Sequence, residues 1–340
     1  MSAAVPPARR SSYRMPRVTW HRSYTAGLLV VALFLVYLLK NSGSFDSIQA
    51  LGIANAALPL ALVAVGETFV ILTNGIDLSV GSIVTLSNVT VAVLSSHGHG
   101  GLGLVLAVAI GAGAGLANGL IVSYLRIAPL IATLATSSIF LGFALIILPN
   151  PGGTVPTWLP DWTSGQRGEY PIAGLWLLLA MAVGWIILRR TPFGINLQAL
   201  GGSESASRSA GIAITRVRIL AYVAAGICSA LAGIALAGLT QSGDPTIGAV
   251  YLLDAIAAVV IGGTSLAGGV GTIPGTVLGA IALSLLSAVL LISGISTNYQ
   301  YIVTGTIVIG ALLAHSMQSK LVARAAKRSR APTDGESLTR

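Results

Sequence analysis

Three acidic residues stand inside or beside long apolar runs: Glu67, Asp77 and Asp254. An ionisable group in such surroundings is costly to keep and is a functional candidate by default. The chemistry open to these carboxyls is hydrogen bonding to a polar solute, charge handling along a pathway, or gating of that pathway. Thr68, Asn74 and Ser79 lie close to the first two in sequence and add hydrogen-bonding groups. Glu67, Thr68, Asn74, Asp77, Ser79 and Asp254 are therefore the translocation and gating candidates. Asp77 also has a plainer use, as the N-cap of the helix that follows it, where its oxygens would accept from free backbone N–H groups. Asp254 fits either a pathway lining or the membrane interface.

Hydrolytic chemistry finds no support. A phosphate-binding P-loop needs G-x-x-x-x-G-K-[ST], and none of the three lysines, Lys40, Lys320 and Lys327, follows a glycine. The glycine-rich run Gly262–Gly269 therefore cannot be a P-loop, and no ATP, other cofactor or enzymatic activity is expected of this chain. The histidines His21, His97, His99 and His315 are scattered, and no G-x-S-x-G elbow accompanies them. No metal site is expected: His97 and His99 fall in a glycine-rich turn, and the single cysteine, Cys228, lies in an apolar run and excludes a disulfide framework.

The elements that must position these residues are set by composition. Of 340 residues, 54% are hydrophobic and 9% charged, against about a quarter charged in ordinary soluble domains; mean hydropathy is +0.85. So little charge cannot cover a water-facing surface, so the lipid bilayer is the expected solvent. A bilayer core of about 30 Å needs roughly 20 apolar residues in a helix. About ten segments qualify: 23–39, 50–72, 79–96, 102–124, 127–148, 172–188, 216–238, 251–263, 273–292 and 299–315. The expected fold is all-α and polytopic. The first segment has a basic leader but no small-residue cleavage site after it, and reads as a retained helix. The eighth is short, ends in Gly262 and Gly263, and reads as a broken or partial span. The expected organisation is a basic cytoplasmic leader, 1–22, one transmembrane domain, 23–315, and a basic disordered tail, 316–340. Within the domain, 149–171 is an outer loop and 189–215 an inner loop.

The net charge of +9 follows topology, and no nucleic-acid partner is expected. With the N-terminus in the cytoplasm, every Lys and Arg except Lys40 and Arg167 falls on the cytoplasmic side, as the positive-inside rule requires. Both termini are then cytoplasmic. Small residues let helices approach in lipid. Gly111, Gly115 and Gly119, and likewise Gly271, Gly275 and Gly279, recur four apart and predict packing faces, within the subunit or across a dimer. Pro59, mid-span, predicts a kink. The inner stretch Gly262, Gly263, Thr264, Ser265, Leu266, Ala267, Gly268, Gly269 reads as a short flexible turn. Ile261–Ile273 weakly echoes Ile71–Ile83, a possible internal repeat.

Together these residues carry a family resemblance. Glu67–Gly81, ETFVILTNGIDLSVG, closely resembles the signature of permease subunits of ribose-type sugar ABC importers. Those belong to the binding-protein-dependent permease superfamily, which also holds the branched-chain amino acid permeases. The likeness continues through Ala117–Val122 (ANGLIV), Ile131–Leu134 (IATL), Thr191–Gly194 (TPFG), Ala199–Gly202, Ser209–Ile212 and Asp254–Gly271, and covers about residues 45–315. It implies an all-helical permease core in a bacterial cytoplasmic (inner) membrane and a second permease subunit, identical or not. It also implies a cytoplasmic ATP-binding subunit holding the ATP and Mg, and an extracytoplasmic sugar-binding protein. By the same resemblance Arg189, Arg190, Gly262, Gly263, Thr264, Ser265, Gly268 and Gly269 are the candidates for coupling to the ATPase. Asn74 stands where glycine is common in the family, and Ala249–Leu252 replaces a more polar run. Members carry pentoses, hexoses, methylpentoses, polyols and autoinducers, and no residue here selects among them. The rival expectation is a cation-coupled secondary transporter using Glu67, Asp77 or Asp254.

Overall fold

The computed structural model describes residues 19–313 except 42, 169, 297, 300, 308, 311 and 312. Most of the expected leader, the tail 316–340 and the close of the expected tenth span lie outside the described residues. The chain runs α1 (Thr19–Lys40), α2 (Ser47–Leu72), α3 (Val80–Ser96), α4 (Gly100–Tyr124), α5 (Pro129–Ile147), α6 (Leu159–Thr163), α7 (Ile172–Arg190), α8 (Pro192–Gly202), α9 (Glu204–Ser209), α10 (Ile214–Thr240), α11 (Tyr251–Ile261) and α12 (Ile273–Ile292). Further helical backbone follows at 298–299 and 301–307.

Among the described residues α2, α4, α5, α7, α10 and α12 are long and apolar enough to cross a membrane. Tyr24–Lys40 of α1, α3 and α11 are apolar but shorter. The 11 residues of α11 rise about 16 Å at 1.5 Å each, roughly half a bilayer core. The helix within the segment expected at 251–263 is therefore too short to cross a bilayer core by itself, and it ends at Gly262.

Two stretches expected as loops carry regular structure. The stretch 149–171 holds α6 and a minimal antiparallel pair, β1 (Gln166–Arg167) with β2 (Tyr170–Pro171), small β exceptions to an all-α reading. In 189–215, Arg189 and Arg190 close the last turn of α7, and α8 and α9 follow. Proline begins α8 where its missing N–H costs nothing, and Thr191 caps it by accepting from the Gly194 N–H. Ser203 caps α9 by accepting from the Ala206 N–H.

The core sits on α2, which is buried almost all round from Ala57 to Leu72. Its neighbours are α7, α10, α11 and α12. A helix apolar on every face is stable only when enclosed, and α2 runs unbroken through Pro59. Helices α4, α5 and α7 keep rows of exposed Leu, Ile and Val, the surface lipid would cover.

Glycine decides how closely these helices meet. A Cβ on Gly111 or Gly115 would run into the backbone of Gly226 or Tyr222, and one on Gly119 would meet Ile219, all in α10. Gly275 and Gly279 stand in the same relation to Gly262 and Ala258, and Gly271 lies against Thr264. Both stripes thus pack within the subunit. Gly113, on the opposite side of α4, has nothing within 4 Å of its Cβ position.

Candidate functional site

The segment 73–79, between α2 and α3, leaves helical geometry, with Thr73, Gly75, Asp77 and Ser79 buried and Asn74 exposed. Buried non-helical backbone persists only where protein or a wetted cavity satisfies it. Asn74 takes φ +64, the left-handed region that glycine enters freely and asparagine tolerates. Its residue type, unusual against the family pattern, is therefore compatible with the turn. Gly75 is confined differently: a Cβ there would meet the Tyr222 hydroxyl at 2.9 Å.

Both carboxyls of this segment are fully buried. Glu67 Oε1 accepts from the Asp77 N–H at 3.0 Å. Asp77 Oδ1 accepts from the Ser79 N–H at 2.8 Å and the Ser79 hydroxyl at 2.6 Å. Asn118 of α4 donates to the Ser79 hydroxyl at 2.7 Å, and Thr136 of α5 donates to Asn118 Oδ1 at 2.6 Å. Thr133 of α5 accepts from the Leu78 N–H at 3.0 Å. One polar network therefore ties α2, α3, α4 and α5 at one level.

Asp77 is not the N-cap of α3. Ser79 occupies that position and makes no side-chain cap bond, while Asp77, two residues earlier, folds over the turn onto Ser79. The Asp77 N–H is taken by Glu67, and its carboxylate by Ser79, the residue before α3. Three buried oxygens of this cluster, Glu67 Oε2, Asp77 Oδ2 and the Tyr222 hydroxyl, have no hydrogen-bond partner among the described residues. Such oxygens can hold a proton, a water or a small cation, because two uncompensated carboxylates in an apolar interior cost several kcal/mol each.

The other candidates separate. Thr68 faces α12, donating to the Ala64 carbonyl at 2.8 Å with its hydroxyl 2.9 Å from that of Thr276. Asp254 opens α11 and lines a different cavity. Asn118, Thr133, Thr136 and Tyr222 were missed as site residues; Asn118 and Thr133 lie in the motifs ANGLIV and IATL, and a lone amide in an apolar run was the available signal.

Of the coupling candidates, the glycine-rich run meets the end of α2, while Arg189 and Arg190 do not. The run Gly262–Gly271 is not the loose turn expected. Ser265 N–H donates to the Val270 carbonyl at 2.8 Å and Gly268 N–H to Ser265 at 3.0 Å, closing the chain on itself. Gly263, Gly268 and Gly269 take φ +83, +78 and +71. Gly269 N–H donates to the Leu72 carbonyl at 3.0 Å, and a Cβ on Gly201, at the end of α8, would strike both partners. The last residue of α2, the end of α8 and the Gly262–Gly271 turn thus meet at one point. Arg189 and Arg190 stand at the far end of α8 from that point; the Arg190 guanidinium lies over Trp185, 5.6 Å from the ring centroid.

Beside this junction is a cleft of about 550 Å³ lined by Asn74, Arg126, Ser203, Glu204, Arg218 and Tyr222. Glu204 of α9 pairs with Arg218 of α10 and with Arg208, each at 3.0 Å. The hydrogen bond from Arg218 holds the Glu204 carboxyl below its ordinary range. Among the described residues no three His, Cys, Asp or Glu side chains group as a metal site.

Comparison with known proteins places this geometry in context. Residues 49–312 match the family described as branched-chain amino acid transport system / permease component. The ribose import permease protein RbsC of Bacillus subtilis is 40% identical over 297 residues, 85% of this chain and 92% of the relative. The autoinducer 2 import system permease protein LsrC of Klebsiella pneumoniae is 37% identical over 311 residues, 89% of each chain. The L-arabinose transport system permease protein AraH of Escherichia coli K12 is 35% identical over 323 residues, 92% of this chain and 95% of the relative. No solved structure matches.

Proposed function

The chain belongs to the branched-chain amino acid transport system / permease component family, and from that premise we propose that it is the transmembrane permease subunit of an ABC importer for a monosaccharide or related polyol. The observation that carries the reading is the 40% identity to a ribose import permease across 92% of that relative. The substrate class comes from the relatives' names, which are those of importers of ribose, autoinducer 2 and L-arabinose.

In this reading the chain spans a bacterial cytoplasmic membrane as a multi-pass protein, with the ends of α2, α7 and α11 toward the cytoplasm. A cytoplasmic ATP-binding subunit docks on α8, α9 and the Gly262–Gly271 turn and hydrolyses ATP. A second permease subunit completes the pathway, and an extracytoplasmic sugar-binding protein delivers the substrate. The geometry supports a direct mechanical route. Movement of α8 or of Gly269 acts on the Leu72 carbonyl, and so on the turn that carries Asn74 and Asp77. Glu67, Asp77 and Ser79 then set the position of α3 through the network to Asn118.

One observation favours a second reading, a cation-coupled secondary transporter: Glu67 Oε2 and Asp77 Oδ2 are buried without partners among the described residues. Asp254 lies apart from them, so the three acids do not make one site. Uptake of radiolabelled sugars into cells lacking and regaining this chain separates the two, with the partner ATPase intact or carrying a substituted P-loop lysine. Uptake that requires both chains and a live ATPase is the expected result. Uptake indifferent to the ATPase and abolished by a proton or sodium ionophore would establish the second reading instead.

A further inference from the structure

The cleft beside the coupling junction, of about 550 Å³, falls within the range of small-molecule sites, roughly 300–1,000 Å³. Its walls come from four places: the turn at Asn74, the α4–α5 turn at Arg126, the α8–α9 junction at Ser203 and Glu204, and the early part of α10 at Arg218 and Tyr222. Its charged lining is Arg126, Arg218 and Glu204. Glu204 already accepts from Arg218 and from Arg208. Arg126 has no ion pair among the described residues, so the cleft keeps one uncompensated guanidinium.

Arg126 is also held in an unfavourable backbone. It takes φ +55, left-handed geometry that glycine enters freely and a long side chain rarely adopts. Non-glycine residues held this way concentrate at ligand clamps and active sites. The cleft is polarised as well. Gly115 lies against Tyr222 and Gly119 against Ile219, so α4 and α10 run antiparallel. The end of α4, which Arg126 follows, is therefore level with the start of α10. Arg218 is the fifth residue of α10, on one face with Tyr222 four positions on. The two arginines thus share one end of the cleft. Toward the other, the Tyr222 hydroxyl is buried and has no hydrogen-bond partner among the described residues. It lies beside Gly75, within electrostatic reach of Glu67 and Asp77. Asn74 adds an exposed amide.

A guanidinium matches phosphate oxygens with paired N–H donors. The end near Glu67 and Asp77 repels an anion and suits neutral hydroxyls. We propose that this cleft binds the phosphate ester of a small polyol, with Arg126 holding the phosphate, Arg218 beside it, and Asn74 and Tyr222 meeting the hydroxyls. A phosphorylated sugar and the glycerophosphate headgroup of an anionic lipid share this chemistry. The inference rests on the sugar-importer reading for the side on which the cleft opens and for the choice of sugar.

Binding is measured on the purified full chain in nanodiscs of neutral phosphatidylcholine, by calorimetric titration with ribose 5-phosphate. Ribose and inorganic phosphate, titrated separately, should each bind at least tenfold more weakly. Arg126→Gly removes the guanidinium and suits the left-handed backbone. It should melt no lower than wild type yet bind the ester about tenfold more weakly, the equivalent of about 1.4 kcal/mol. If that variant fails to fold, Arg126→Gln is scored in its place. Nanodiscs containing phosphatidylglycerol separate the two sources. Unchanged ester affinity there assigns the cleft to the soluble ester. Phosphatidylglycerol that co-purifies with wild type and not with Arg126→Gly, and that lowers ester binding, assigns it to the headgroup. Absence of both ester binding and Arg126-dependent lipid retention would overturn the site. So would ester binding that Arg126→Gly leaves unchanged, or that is no tighter than binding of inorganic phosphate. None of these measurements involves transport, so failure of the importer reading, seen as uptake that ignores the ATPase, is scored separately.

Discussion

At the scale of single residues, Asn118 and Asn74 show how the turn between α2 and α3 is held. Asn118 is fully buried, donates to Ser79 at 2.7 Å and accepts from Thr136 at 2.6 Å. Asn118→Ala would remove both of these bonds, each worth about 0.5–1.5 kcal/mol, while the Ser79 hydroxyl keeps Asp77 and the Thr136 hydroxyl keeps the Thr133 carbonyl. The purified variant should unfold at a lower temperature than wild type. An unchanged midpoint would mean that α3, α4 and α5 are not tied through this amide. Asn74 makes a separate case through its φ of +64. Asn74→Gly should be tolerated, whereas Asn74→Val should destabilise by at least the roughly 1–2 kcal/mol that left-handed backbone costs an ordinary residue. Equal stability of the two variants would sink the backbone argument. The sequence made Glu67, Asp77 and Ser79 visible because polar groups stand out in apolar runs. It did not show that Thr68, one residue from Glu67, turns the other way to meet Thr276. Adjacent helical positions point about 100° apart, and only the neighbouring helices decide which of them is shared.

At the scale of elements, the glycine spacing in α4 was legible because a period of four lays one residue type along one face. What α4 packs against was not legible, since within-subunit and between-subunit packing leave the same pattern. The partner is α10, whose Gly226 approaches Gly111 backbone to backbone. That geometry gives a prediction with its own control on the same helix. Gly115→Val puts a branched side chain against the Tyr222 backbone, and Gly113→Val puts the same side chain into open space. Gly115→Val should lower the yield of folded protein and its thermal midpoint, while Gly113→Val should match wild type. Size-exclusion profile and melting temperature in detergent measure both. If the two variants behave alike, α4 does not depend on close contact with α10. The half-length of α11 was legible from its glycine end. The helices α8 and α9 were not, because short caps such as Thr191 and Ser203 carry little sequence signal beside the long apolar segments.

At the scale of the whole molecule, charge and contact both support the proposed coupling end. In the ten-span topology expected from the sequence, every Lys and Arg except Lys40 and Arg167 falls on one side. That same side carries the meeting of Leu72, Gly201 and Gly269. A short element at the membrane edge can drive an apolar bundle only if something rigid joins them. The Gly269 N–H to Leu72 carbonyl bond is proposed as such a joint, at the end of a helix buried almost all round from Ala57 to Leu72. Gly269 takes φ +71, and its Cβ position lies 2.7 Å from the Gly202 nitrogen. Gly269→Ala therefore both strains this backbone and pushes α8 from its seat, while leaving every long apolar helix intact. The variant should insert and reach normal membrane levels, since insertion depends on those helices, yet sugar uptake should fall severalfold. ATP hydrolysis by the docked partner should lose its stimulation by the loaded binding protein. Normal uptake at normal expression would show that transport does not pass through this joint. Loss of the protein from the membrane would show that the joint serves folding, and that α8 is part of the scaffold instead of its lever.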